Sequence, residues 1–226
     1  MTQPSRKART PQQDLDLRFA NDLLRAAAGC RKGARTKAAI QSALCTRLET
    51  SSPVALTVAE ICDAAGVAPG TFYIYFPDRN ALIGDVMLRF IAFIQRQMRQ
   101  ASRQQADDPV RAATATYVQL FESNLGLMRC LLNHPEGIPE AQAAFQTLNR
   151  DWLESAVSTT KRHWARQGKA ADHDDLMRRA YALGGMTDQY LSGLLLSQDP
   201  NMQAISRDRD LVIETLTMLW QRGMEP

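Results

Sequence analysis

Four cysteines are all the thiols in this 226-residue chain, and Cys30, Cys45, Cys62 and Cys130 show no C-x-x-C spacing. That excludes a cysteine-built zinc site and a dithiol redox centre. Reduced thiols suit a reducing compartment, and Cys45 and Cys62 are expected in a small N-terminal core. No apolar run reaches membrane-spanning length, and the N-terminus has no signal-peptide core. A cytoplasmic chain with no membrane contact is therefore expected. An alternating strand pattern is absent throughout, which points to an all-α fold. Enzyme chemistry has little to stand on. There is no nucleophile motif, no glycine-rich phosphate loop and no carboxylate–histidine pairing suited to acid–base work. Only three histidines occur. His134 and His163 read as surface or loop residues. His173 sits in ADHDD, where Asp172, Asp174 and Asp175 favour a helix start through the helix dipole. No cofactor or metal is expected.

Charge is scarce in sum but uneven in place. The formal net charge is +3. Residues 1–80 hold eleven Lys/Arg against seven Asp/Glu, and the remainder is net −1. The basic surplus lies in the N-terminal 80 residues, which contain the stretch Thr57 to Phe76, TVAEICDAAGVAPGTFYIYF. Thr57 and Glu60 form a capping-box pattern at the start of a short helix. Val58, Ile61, Cys62 and Ala65 follow helical spacing. Gly66 suits the positive φ at which that helix must stop, and Val67 can plug the angle to the next one. Pro69 suits the first turn of a second helix. There Phe72 and Phe76 make one apolar stripe, while Gly70, Thr71, Tyr73 and Tyr75 lie largely off it. A helix with one apolar side and small, hydroxyl and phenolic groups elsewhere suits contact with DNA. Pro69, Gly70 and Thr71 are placed to meet base edges, and Tyr73 and Tyr75 to reach phosphates. The alternative is a surface helix whose aromatics fill a small core.

The run GVAPGTFYIYFPDRNALI resembles the signature of TetR-family transcriptional regulators, over roughly Lys37 to Val86. Three features depart from the family pattern: the loop Thr50 to Leu56 carries Pro53, and Ala59 and Ala68 replace polar positions. A missing helix cap at Ala68 costs roughly 1 kcal/mol. The resemblance implies that Arg79 stands where a lysine grips a phosphate. Thr57 and Thr36 are further phosphate candidates. Thr36 lies in the basic helix start Arg35-Thr36-Lys37, where an outside anion would relieve the dipole conflict.

Periodicity divides the chain into a polar tail with an extra amphipathic helix (1–30, the helix over Asp14 to Ala28), a helix–turn–helix DNA-binding head (31–80) and a larger helical body (81–226). The body opens with one long helix, Arg79 to Gln104, on Leu82, Ile83, Val86, Phe90, Phe93 and Ile94. Four further helices follow over Pro109 to Asn133, Pro139 to Gln167, Asp172 to Ser197 and Ile205 to Arg222. The extra N-terminal helix packs on the head or on a partner subunit.

By resemblance, the body binds a small molecule and forms a homodimer through its last two helices. The two heads then read a near-palindromic double-stranded operator about one helical turn apart. Tyr117, Phe121, Met128, Phe145, Trp152, Trp164, Met186 and Tyr190 are candidate liners of an apolar cavity, with Asn124 as a polar contact. Each can equally be core. The implied function is a repressor released by a small, apolar effector. The alternatives are an activator or architectural DNA-binding protein without ligand control and, more remotely, an all-α enzyme.

Overall fold

The structure is a computed structural model that describes residues 16–132 and 139–226, with side chains at 139–141, 143–145 and 147–148 left undescribed. The polar tail, His134 and the side chain of Phe145 lie outside the described residues. Among these residues the chain forms eleven α-helices and no strand. They are α1 (Phe19–Ala27), α2 (Lys32–Leu48), α3 (Val58–Ala65), α4 (Pro69–Tyr75), α5 (Arg79–Gln104), α6 (Pro109–Ser123), α7 (Leu125–Leu132), α8 (Pro139–Arg166), α9 (His173–Leu191), α10 (Pro200–Ile205) and α11 (Arg209–Gly223). A π-helical turn, Ser192–Leu196, continues α9.

Helix starts follow local chemistry. Asp78, Asp108, Asp172, Asp199 and Asp208 each accept a backbone N–H at the start of α5, α6, α9, α10 and α11. Each bond satisfies a donor the helix itself cannot. The acids around His173 thus serve a helix start, as expected.

Head and body share one apolar cluster. It runs from Phe72 and Phe76 through Leu82, Val86 and Phe90 to Leu191 and Val212. All six apolar positions expected to bury α5 are buried. At 26 residues α5 spans about 39 Å, a rod from head to body. A second cluster, with Leu153, Val157, Trp164, Leu176 and Ala180, joins α8 to α9. Helices α9 and α11 run antiparallel. Trp220 Nε1 donates to Thr187 Oγ1 at 2.9 Å, and Arg179 donates to the Glu225 carbonyl at 2.8 Å.

Three elements differ from the periodicity. The helix expected over Pro109 to Asn133 breaks at Asn124 into α6 and α7. Asn124 is 2% exposed. Its Nδ2 donates to the carbonyls of Leu17 (2.9 Å) and Leu120 (2.8 Å), and its Oδ1 accepts the Phe19 N–H (2.8 Å). The break is made by bonds to a segment a hundred residues away. Second, the helix expected from Asp172 to Ser197 finishes as the π turn. Third, α10 is an additional short helix.

The extra N-terminal helix packs on its own chain. Phe19 lies between Phe90 and Phe93 of α5, with ring centroids 5.4 and 5.3 Å away. Asp22 pairs with Arg96 at 2.9 Å. Head and body also meet where α7 passes the end of α2. A Cβ on Gly126 would lie 2.3 Å from the Leu48 carbonyl carbon, and the Gly126 N–H donates to Glu49 Oε2 at 3.1 Å.

Candidate nucleic-acid interface and effector cleft

The helix–turn–helix is built as its residues dictate. Thr57 Oγ1 accepts the Glu60 N–H at 3.2 Å, and Glu60 Oε2 accepts the Thr57 N–H at 2.8 Å, closing the capping box. These bonds hold the Glu60 carboxyl below its usual range. Gly66 adopts φ 65°, ψ 36° and ends α3. Pro69 opens α4, and Ala68 makes no side-chain cap. Ile61, Cys62, Phe72 and Phe76, all at most 3% exposed, seat α4 on α3 and α2. Cys45 and Cys62 are both in this core, and burial pushes the Cys45 thiol up.

With its apolar stripe buried, α4 turns its other side to solvent. Pro69, Gly70 and Tyr73 are exposed, and Thr71 and Tyr75 are half-buried. Nothing stands within 4 Å of a Cβ built on Gly70, so this face has open space before it. The Tyr75 hydroxyl would lie 3.3 Å from a Cβ on Gly33, which brings it to the basic start of α2. Arg31 and Lys32 there are exposed and have no ion pair among the described residues. Lys37 is more engaged, 3.5 Å from Asp85 and 5.1 Å from the Phe76 ring centroid.

Three expected phosphate contacts carry internal bonds. Arg79 Nη1 donates to the carbonyls of Val54 (3.0 Å) and Leu56 (2.7 Å), which ties the loop before α3 to the start of α5. Only the remaining guanidinium N–H groups face other partners. The Thr57 hydroxyl donates to Glu60 Oε2 at 2.8 Å, and the Thr36 hydroxyl to the Lys32 carbonyl at 3.0 Å. A phosphate oxygen only accepts, so in this conformation neither hydroxyl has a hydrogen to offer it. Ile74, in contrast, was not singled out by sequence reasoning. It is 76% exposed on α4, an apolar side chain facing open space. Its i+2 offset from Phe72 was the available signal, since that offset turns away from a helix's buried stripe.

The described apolar ligand candidates pack into or against the two apolar clusters. Phe121 and Met128 are fully buried in the main cluster. Asn124 is committed to backbone, as above. Tyr117 donates to Asp188 Oδ1 at 2.5 Å across α6 and α9. Burial pushes the Tyr117 phenol well up and raises the Asp188 carboxyl to about 6. Trp152 packs against the second cluster with Arg99 over its ring. Trp164 is part of that cluster, and Met186 and Tyr190 pack against the main one. A cleft of 250 Å³ opens elsewhere, and none of these candidates lines it. Val118 and Glu122 of α6, Leu191, Leu194 and Leu195 around the π turn, and Arg207, Arg209 and Val212 at the start of α11 surround it, with Gln203 and Ser206 beside them. Tyr190 reaches its edge only through a 2.7 Å hydrogen bond to Ser206.

This geometry defines a helix–turn–helix DNA-binding protein whose head rides on an all-α body. A family profile described as bacterial regulatory proteins, tetR family, matches residues 53–86. The HTH-type transcriptional regulator EthR of Mycolicibacterium smegmatis is 24% identical over 189 residues, covering 81% of this chain and 83% of that protein. The fatty acid degradation regulator FadR from Bacillus halodurans has the same fold, with a TM-score of 0.65 at 14% identity over 81% of this chain and 93% of its own. FadR from Bacillus subtilis, solved in complex with stearoyl-CoA, gives 0.57 at 16% identity over 79% and 96%. Residues 53–86 thus carry a tetR-type helix–turn–helix, and the fold around it is that of solved tetR-family regulators.

Proposed function

We propose that this regulator is a homodimeric, cytoplasmic repressor released from a near-palindromic operator by a small molecule with an apolar part. The observation that carries the DNA reading is the solvent face of α4. Its apolar stripe is fully used in the head core, yet Tyr73 and Ile74 remain 58% and 76% exposed. Pro69, Gly70, Thr71 and Ile74 meet base edges. Tyr73, Tyr75, the basic start of α2 and the free N–H groups of Arg79 meet phosphates. Residues 31–80 form the reading head and 81–226 the body that dimerises and senses.

The dimer reading rests on α9 and α11, whose outer faces carry Tyr181, Leu211 and Met218 at 45, 55 and 38% exposure. A second copy of the same two helices covers them in a two-fold, four-helix contact. Effector entry tilts α5 and alters the spacing of the heads. Full switching needs the effector to favour the non-binding state by about 5 kcal/mol.

The test is selection of duplexes from a random library, followed by gel-shift titration at several salt concentrations. A two-fold symmetric site, bound tightly and lost with Tyr73→Ala, is expected. Weak, sequence-tolerant binding would instead favour an architectural protein without ligand control.

A further inference from the structure

We propose that the cleft between α6, the π turn and the start of α11 takes a short aliphatic chain with an anionic head, its chain on the leucine floor and its head at Arg207 and Arg209. The inference rests on the effector reading above and supplies the site and the ligand class. Five apolar side chains, Val118, Leu191, Leu194, Leu195 and Val212, form the floor. The charged groups of the lining are Arg207, Arg209 and Glu122, so the formal charge of the wall is +1. Arg209 Nε lies 2.9 Å from Glu122 Oε2, which joins α11 to α6. Arg207 is exposed and has no ion pair among the described residues. The Gln203 amide and Ser206 hydroxyl add donors. An apolar floor with a basic mouth excludes a cationic guest and suits an anionic amphipath. The volume lies just below the range of about 300–1,000 Å³ usual for drug-sized ligands, so a short chain fits and a bulky ring system does not.

The wall of this cleft is also irregular where a sensing wall needs to yield. The π turn Ser192–Leu196 carries Leu194 and Leu195, and single π turns inside helices recur at functional sites. Gln198 just beyond holds φ 52° without being glycine, and Met202 Sδ would lie 2.7 Å from a Cβ on Gly193. The π turn packs on α7, and α7 meets α2 at Gly126 with no room for a methyl group. An anion that takes Arg209 from Glu122 loosens the α6–α11 tie, and the displaced wall pushes on the element that abuts the DNA-binding head.

The probes are decanoate, decanol and decyltrimethylammonium, which share a tail and differ in head, titrated calorimetrically into the full chain below their micelle thresholds. Decanoate is expected to bind about tenfold tighter than decanol and the cation weakest, a margin of one charge-assisted contact. Arg207→Ala should erase most of that margin at unchanged helicity, and Arg209→Lys should retain it. Leu194→Trp should block all three probes by filling the floor. Equal binding of the three heads, preference for the cation, or decanoate binding unaffected by Leu194→Trp would overturn the proposal. Operator release separates the two readings. Decanoate that binds the cleft without weakening the operator complex sinks gating and leaves the site. A different compound that releases the operator equally from Leu194→Trp sinks this site and leaves gating.

Discussion

Two residues only two positions apart on α4 have opposite environments, and substitution separates them. Phe72 is fully buried and Ile74 is 76% exposed. Phe72→Ala should destabilise the chain by about 3–5 kcal/mol through the cavity it leaves. Ile74→Ala should change stability by no more than about 0.5 kcal/mol, as surface substitutions do, yet weaken binding to the selected operator severalfold. Urea unfolding beside gel shift reads both numbers, and an Ile74→Ala protein with full operator affinity would remove that residue from the interface. A second residue-scale prediction concerns Asp188, whose carboxylate accepts the Tyr117 hydroxyl. Burial raises its carboxyl from 3.8 to about 6, against the opposing effect of the Tyr117 bond. The native state therefore holds a proton that the unfolded chain has lost between about pH 4 and 6, so this group's contribution falls as pH rises through that window. Asp188→Asn keeps an acceptor for Tyr117 and removes the charge. Its stability relative to the parent should rise by on the order of 2 kcal/mol between pH 4.5 and pH 7.5, read as a growing gap between urea midpoints. A gap that does not change with pH would mean that Asp188 titrates normally.

At the scale of elements, what was legible depended on whether the determinant was local. The capping box at Thr57, the turn at Gly66 and the apolar register of α5 all came from neighbours in sequence, and all stand as read. The α6–α7 break did not. Asn124 sits in a run otherwise compatible with helix, and only the distant Leu17 and Phe19 backbones show why it stops one. The π turn and α10 escaped for the same reason, since each is packed on the other, with Met202 of α10 against Gly193 of the π turn. The ligand candidates are a different case, because none of them lines the cleft. Aromatic and methionine residues at helical spacing mark burial, and burial alone does not tell core from cavity wall. The cleft is lined by leucines, valines and two arginines that composition never set apart. Asn124 also carries an element-scale prediction. Asn124→Leu leaves the Phe19 N–H and the Leu17 carbonyl buried without their partner, which should cost roughly 2–4 kcal/mol. Because those groups begin α1, the loss should appear first as faster hydrogen exchange in α1, ahead of global unfolding. Exchange that rises evenly over all helices would deny α1 its role as a separately docked clamp.

At the scale of the whole molecule, one head is not enough. α4 has seven residues, and a single such helix reaches only a few base edges, whereas two copies one helical turn apart read a palindrome. The fold has a shared apolar cluster running from head to body, so fixing two bodies against each other also fixes the distance between two heads. The exposed Tyr181, Leu211 and Met218 on the antiparallel α9–α11 pair lie far from the reading face in sequence, and in the proposed dimer they are the surface on which that distance depends. Met218→Glu is therefore the decisive change. In an isolated chain the side chain is already 38% exposed, so a charge there should cost about 0.5 kcal/mol or less. Across a dimer contact it places two like charges in a surface that must bury about 800 Å² per partner. Analytical ultracentrifugation should show the parent as a dimer at micromolar concentration and Met218→Glu as a folded monomer. That monomer should bind a half-site about as well as the parent and lose the added affinity of the full palindrome. A Met218→Glu protein that remains dimeric would move the interface to another face of the body, and the spacing argument for effector release would have to be rebuilt on that face.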